Sequence, residues 1–254
     1  MSSDGQGDGP VRVTQEDGVA WVRLDVPERR NAISIVMRAA LTEVFATLDA
    51  DDGVRVAVLT GAEPGFCAGV DLKETGPPAT EPVAAPLERF GKPLIAAVNG
   101  PAIGGGFELV LAADLRIAST AASFALPEVK IGSLPGSGGT QRLSRAVPPA
   151  VANKLVLTGE PLDAGEALRC GLVSDLVEPD ELLPLAGRLA AAIAANAPLS
   201  LRAAKTALRA AQEDPLRDGL VLERRLWEQL STTEDRAEGR AAFRERRPPR
   251  WVGR

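Results

Sequence analysis

Residues 92–118 read KPLIAAVNGPAIGGGFELVLAADLRIA, and the order of residue types in this stretch sets the fold class. Leu94–Val98 is a short unbroken apolar run that stops at Asn99-Gly100, the pattern of a strand covered on both faces. Gly104, Gly105 and Gly106 make a turn, an apolar helix follows, and Leu115–Ala118 starts another strand. Strand, glycine-containing turn and helix in succession point to an α/β core. Glu108 is the anomaly. On a helix its neighbours at three and four residues are Leu111 and Ala112, so little of it can face water. A buried ionised carboxylate is costly unless it has a shifted pKa, a partner or a chemical task. Taken alone, a structural carboxylate satisfied by an arginine or a backbone donor and a catalytic one are evenly matched.

The same unit recurs outward from this stretch. Val54–Leu59 is a buried strand ending at Gly61, and Ser123–Leu126 is a strand stopped by Pro127. Upstream, Val11–Val13 and Val19–Leu24 flank QEDG as a β-hairpin, and Ser34 caps a helix whose apolar positions are Met37, Ala40, Leu41, Val44, Phe45 and Leu48. Downstream the character changes. Val151–Leu157, Ala164–Cys170, Glu181–Asn196, Leu199–Gln212, Leu216–Leu230 and Thr233–Arg244 read as helices joined by short turns. The expected division is a flexible tail over residues 1–10, an α/β core over 11–195 and a C-terminal helical region over 196–254 that packs on the core or on another subunit.

Composition removes several mechanisms. The 254 residues include no histidine and no tyrosine, so Ser-His and Cys-His nucleophiles, His-ligated metals and phenol chemistry are excluded, and acid-base work near neutral pH falls to carboxylates, lysines or cysteines. Cys67 and Cys170 are too few for a disulfide framework or a cysteine-only metal site, and both read as packed thiols. A net charge of −5 argues against a general nucleic-acid binder. The chain lacks an apolar run long enough to span a bilayer, and MSSDGQGDGP has neither the basic start nor the apolar centre of a signal peptide, so a cytoplasmic location is expected.

Three stretches carry chemistry. Gly104–Gly106 lie at a helix N-terminus, where free N–H groups suit an oxyanion or a phosphate; the spacing is not that of a dinucleotide fingerprint. In FALPEVKIGSLPGSGGTQRL (124–143) a second acid, Glu128, follows Pro127 at a strand end; it either pairs with Lys130 on a surface turn or converges with Glu108 to divide acid and base roles. In GAEPGFCAGVDLKE (61–74) small residues permit close backbone approach, Lys73 offers a charge for a phosphate, and Cys67 has no histidine to activate it.

Together with PERRNAIS (27–34) and LTGEPLDAGEALRCGLVSDLV (157–177), these stretches resemble the enoyl-CoA hydratase/isomerase, or crotonase, family from about residue 11 to the closing EGRAAFRERRPPRW. The resemblance implies a crotonase-like spiral of strand-strand-helix units with a C-terminal helical region. It also implies an acyl-CoA thioester substrate whose oxygen sits between the backbone N–H groups of Val70 and Gly105. It places Glu108 and Glu128 on the family's two catalytic glutamates, sharing one water that Glu108 helps activate for attack at C3 while Glu128 exchanges the proton at C2. On that reading the helix is apolar because the acyl chain lies nearby. Val70, Asp71, Leu72 and Lys73 fall along the nucleotide end of CoA, Ala32 and Ala68 along the pantetheine path, and Gly136 beside the site. Phe243 and Arg247 match tail positions that reach CoA. No metal or redox cofactor is implied, and a homotrimer or a hexamer of two trimers is.

Departures narrow the family. Gly136 stands where dienoyl-CoA isomerases carry aspartate, Glu108 where naphthoate synthases have glycine, and the first helix lacks the lysines of the RNA-binding member. The expected reaction is hydration of a trans-2-enoyl-CoA to a 3-hydroxyacyl-CoA. The alternatives are Δ3,Δ2-enoyl-CoA isomerisation, another acyl-CoA dehydration, or a non-catalytic member.

Overall fold

The chain is described here by a computed structural model over residues 9–74 and 81–254. Most of the tail expected at 1–10 lies outside the described residues. Pro10 is an exception, because its carbonyl accepts a hydrogen bond of 2.8 Å from Asp25 N, which ties it to the folded chain rather than to a loose tail.

Strands β1 (Val11–Glu16) and β2 (Val19–Leu24) pair antiparallel across Asp17-Gly18, both at positive φ as a two-residue hairpin of the right twist requires. Ser34 accepts from Met37 N at 3.1 Å and starts helix α1 (Ile35–Ala50), which buries Met37, Leu41, Phe45 and Leu48. The chain continues through β3 (Val56–Gly61), α2 (Ala85–Arg89), β4 (Leu94–Val98), β5 (Pro101–Ile103), α3 (Gly105–Ala112), β6 (Leu115–Ser119) and β7 (Ser123–Ala125). Then come α4 (Gly139–Ala146), α5 (Pro149–Thr158), β8 (Leu162–Asp163), α6 (Ala164–Arg169), β9 (Asp175–Val177), α7 (Leu182–Ala194), α8 (Pro198–Glu213), α9 (Leu216–Ser231) and α10 (Glu234–Glu245).

Two sheets result. The larger has the order β1-β2-β3-β4-β6-β9, parallel from β2 onward, and the smaller has the order β5-β7-β8. Successive turns of the chain give one strand to each sheet before a helix: β4, β5, α3 and then β6, β7, a 3-10 turn and α4. Cys67 bridges Ala102 in β5, so the preceding turn contributes a rudimentary strand to the small sheet as well. This is the strand-strand-helix spiral.

Every residue of β3 and β4 is buried, and their side chains alternate between two cores. Ala57, Leu59, Leu94, Ala96 and Val98 join α1 and α3 in the main core, whereas Val56, Val58, Ile95 and Ala97 face Leu182, Ala186 and Ala190 of α7. Helix α3 is apolar because the chain's own core surrounds it: Phe107, Leu109 and Val110 are fully buried, and Phe107 packs against Phe124. The sequence expectation that the acyl chain explains this apolarity needs that correction.

Helix α9 buries no residue against the rest of the chain, and Leu216, Leu220, Val221, Trp227 and, on α10, Phe243 are exposed. Among the described residues no single helix is long and apolar enough to cross a membrane.

Candidate active site

The site grows from the N-terminus of α3. Gly104 occupies φ 53°, ψ −123°, a conformation that side-chain-bearing residues avoid, and a Cβ there would lie 2.9 Å from Glu128 Oε1. A Cβ on Gly106 would lie 2.7 Å from Cys67 Cβ and 2.8 Å from its sulfur. The glycines therefore let a carboxylate approach the turn from one side and the segment after β3 from the other. Gly105, as the first residue of α3, presents an N–H with no partner inside the helix.

Cys67 N donates to Pro101 O at 3.0 Å and Cys67 O accepts from Ile103 N at 2.9 Å, which lays residues 67–70 alongside β5. Ile33 bridges Val70 through Ile33 N to Gly69 O and Asp71 N to Ile33 O, and among the described residues Val70 N donates to no backbone or side-chain acceptor. Gly105 N lies 3.5 Å from the point where a side chain on Gly69 would begin. The N–H-bearing residues Val70 and Gly105 are thus brought side by side, 35 positions apart in sequence.

Asn31 holds this arrangement from beneath. It is fully buried at φ 55°; its Nδ2 donates to the carbonyls of Ala62 (2.7 Å), Gly65 (2.8 Å) and Phe66 (3.2 Å), and its Oδ1 accepts from Val26 N (3.0 Å). The Cys67 thiol donates to Asn31 O at 3.0 Å, and burial pushes its pKa up to about 12 against the smaller opposing effect of the Gly69 N–H. It is a packed thiol, as its sequence context suggested.

Glu108 is 3% exposed. Its Oε1 accepts from Ser137 N at 2.6 Å and from Gly139 N at 2.9 Å, so it sits at the N-terminus of α4, where the helix dipole favours negative charge. No described residue donates to Oε2. Glu128 lies in a 3-10 turn after β7 rather than on the strand end, with its carboxylate against Gly104 and its Oε2 buried without a partner. Burial raises its pKa above the ordinary glutamate value; its own backbone N–H opposes this, and the nearby charge of Glu108 adds to it. Among the described residues neither acid is paired with a cation, and Lys130 is bound instead to Glu160 at 2.8 Å; of the two partners expected for a structural carboxylate, Glu108 has the backbone donors, Ser137 N and Gly139 N, and no arginine.

The remaining sequence-derived positions form a rim. Ala68, Val70, Leu72 and Lys73 are exposed and Ala32 is half-buried. Asp71 is turned inward, bound to Arg29 at 3.0 Å and accepting from Lys73 N at 2.9 Å, so its carboxylate shapes the turn. Gly136 is exposed on the loop that carries Ser137. Arg247 is held by Glu238 at 2.6 Å and 2.9 Å and by Glu245 at 2.6 Å, while Phe243 is 87% exposed. A cavity of about 960 Å³ lies at the opposite end of α3, between Leu111, Ala112, Arg142, Leu208 and Arg209, and neither glutamate lines it.

Three residues with structural influence on the site went unassigned from sequence: Asn31, Ser137 and Arg142. Asn31 stood in a quoted motif, where an asparagine beside an arginine reads as an ordinary turn. Ser137 and Arg142 stood among glycines and polar residues that give no local signal of burial.

Residues 14–254 match the profile of the family described as enoyl-CoA hydratase/isomerase. The chain is 50% identical to (E)-benzylidenesuccinyl-CoA hydratase of Thauera aromatica over 96% of its own length and 99% of that protein, and 42% identical to 2,3-dehydroadipyl-CoA hydratase of Escherichia coli over 95% and 98%. The crystal structure of enoyl-CoA hydratase from Mycobacterium tuberculosis H37Rv superposes with a TM-score of 0.92 at 38% identity, covering 97% of this chain and 100% of that one. With paired N–H-bearing turns, a buried and a half-buried acid that face no cation among the described residues, and near-full-length similarity, this chain belongs to the enoyl-CoA hydratase/isomerase family.

Proposed function

We propose that the chain is an enoyl-CoA hydratase that adds water reversibly, in the syn sense, across a trans-2-enoyl-CoA to give a 3-hydroxyacyl-CoA. The observation that carries this reading is the pair Glu108 and Glu128 beside the N-terminus of α3: both are shielded, neither is neutralised by a cation, and each keeps an oxygen without a protein donor. One acid can perform a proton shift; two acids suit water addition.

In this reading the thioester oxygen accepts from Val70 N and Gly105 N, which stabilise the enolate-like charge that develops as the C3–O bond forms. Glu108 takes a proton from the attacking water and Glu128 delivers one to C2. The two glutamates then re-equilibrate through the solvent they share. The pKa of Glu128 is raised chiefly by burial, with the charge of Glu108 adding to it, the direction that a proton donor to C2 needs. Ala32, Ala68, Leu72 and Lys73, with the backbone of Asp71, form the CoA-facing rim together with Gly136, and the chemistry requires no metal or redox cofactor.

The unburied apolar face of α9 supports assembly into a homotrimer or a pair of trimers. The relatives named for hydration of aryl- and carboxylate-bearing acyl-CoAs support a hydro-lyase without choosing the acyl group.

The test is spectroscopic. Crotonyl-CoA mixed with the purified chain should lose its enoyl absorbance. A rise with a 3-enoyl-CoA and no loss with crotonyl-CoA would assign isomerisation instead, and silence with both would indicate a non-catalytic member.

A further inference from the structure

All the polar atoms of Ser137 are engaged, and each bond leads to a different part of the site. Its N–H donates to Glu108 Oε1 at 2.6 Å, its carbonyl accepts from Arg142 Nη1 at 2.8 Å, and its hydroxyl oxygen accepts from Val83 N at 2.9 Å. Arg142 continues to the carboxylate of Glu88 on α2. Val83, also buried, has Cγ2 3.4 Å from the point where a side chain on Gly105 would begin. The hydroxyl and the carbonyl of one residue therefore both run to the segment 83–88, while its N–H runs to Glu108.

We propose that Ser137 is a positioning residue: its hydroxyl fastens Val83, and thereby the segment leading into α2, to the peptide that orients Glu108. The inference rests on the reading of Glu108 as the group that activates water. The loop from Gly132 to Gly138 contains four glycines and prolines among seven residues and has no regular secondary structure, so the aim of the Ser137 peptide rests on its individual hydrogen bonds, the hydroxyl's among them. Ser137 is 7% exposed and Val83 2% exposed. Without the hydroxyl, a buried Val83 N–H has no acceptor, and the link through Arg142 and Glu88 is all that still ties the loop to the segment. A loosened Ser137 peptide changes the aim of Glu108 Oε2, and misplacement of a reacting group lowers turnover more than it lowers binding. Glu128 has no hydrogen bond to Ser137, so its proton exchange at C2 is spared.

That difference gives the test. Ser137→Ala, Ser137→Thr and Ser137→Cys are assayed as the purified full chain for crotonyl-CoA hydration, and for exchange of the C2 protons of butyryl-CoA in D2O by NMR. The second reaction needs Glu128 and the oxyanion donors but no attacking water. Thermal unfolding of each variant reports folding. Ser137→Ala is expected to lower hydration kcat about 10-fold with KM within about 3-fold, and to leave C2 exchange within about 2-fold. Ser137→Thr, which keeps the oxygen, should recover hydration to within about 3-fold, and Ser137→Cys, a weaker acceptor of similar size, should fall between them and serves if the alanine variant does not fold. Unchanged hydration in Ser137→Ala, or proportional loss of both reactions in every folded variant, overturns the proposal. A wild-type chain that exchanges C2 protons but hydrates nothing removes the assigned reaction itself and is distinguished from either outcome.

Discussion

Replacing Glu108 separates chemistry from folding, because the two changes Glu108→Gln and Glu108→Ala differ in what they leave behind. Glu108 Oε1 accepts two backbone N–H bonds, at 2.6 Å and 2.9 Å. Glutamine presents a carbonyl oxygen at the same place, so both donors stay satisfied; two charge-assisted bonds become neutral ones, and the desolvation cost of a buried anion disappears at the same time. The net change in stability should stay within about 1 kcal/mol. Alanine leaves both N–H groups without their acceptor at about 1–3 kcal/mol each, a sum of about 2–6 kcal/mol before any water enters. For a chain of this size about 1 kcal/mol corresponds to roughly 2–4 °C in Tm, so Glu108→Ala should melt at least about 4 °C lower, and Glu108→Gln within about 4 °C of wild type. Activity should follow the other axis: both variants lose a general base and should hydrate crotonyl-CoA about 10²–10⁴-fold more slowly. The assays are crotonyl-CoA absorbance decay and differential scanning calorimetry at one fixed protein concentration, since assembly shifts Tm. Hydration by Glu108→Gln within 10-fold of wild type would refute the catalytic role, and equal Tm values for the two variants would refute the claim that Oε1 caps α4.

Glu128 carries a pH-dependent cost. Its folded pKa is raised, chiefly by burial, so between the unfolded and folded values the native state binds more protons than the unfolded state, and stability falls as pH rises through that window. Glu128→Gln should therefore be more stable than wild type at pH 7, with the difference fading below about pH 4.5, as chemical denaturation at both pH values would show, and it should lose hydration activity. Gly106→Ala would drive a methyl group to 2.7 Å from Cys67 Cβ; overpacking of this kind costs about 1–3 kcal/mol and parts the two N–H-bearing turns, so Tm and hydration should fall together. Cys67, with its thiol pushed up to about 12 by burial, should resist iodoacetamide in the native protein at pH 8 and become labelled on denaturation, a difference that peptide mapping resolves.

The parts of this protein legible in the sequence are those whose signal is local. Apolar runs ended by Gly or Asn-Gly mark β3 and β4, because a strand buried on both faces tolerates no polar interruption. Ser34 marks the start of α1, because only a side-chain oxygen at that place satisfies an orphan N–H. The anomaly of Glu108 is equally local, as is that of an acid following Pro127. Helix α4 escaped notice because GTQRLSRA offers only Leu143 and a half-buried Ala146 to the core and opens on glycine; what holds its first N–H is the carboxylate of Glu108, 31 residues upstream. Strand β5 escaped because three residues between glycines carry no period, and their partners in Cys67 and β7 are distant.

Sequence by itself determined the residue types, the α/β alternation and the two acids that have no local reason to be buried. Only the folded chain decided that those acids face no cation, that Asn31 spends its amide on three carbonyls, that Asp71 turns inward, and that Ser137 joins Glu108 to α2. The physical reason is that hydrophobic periodicity is written along the chain within a turn or two, whereas the satisfaction of a buried polar group depends on which distant donor or acceptor the packing brings within 3 Å.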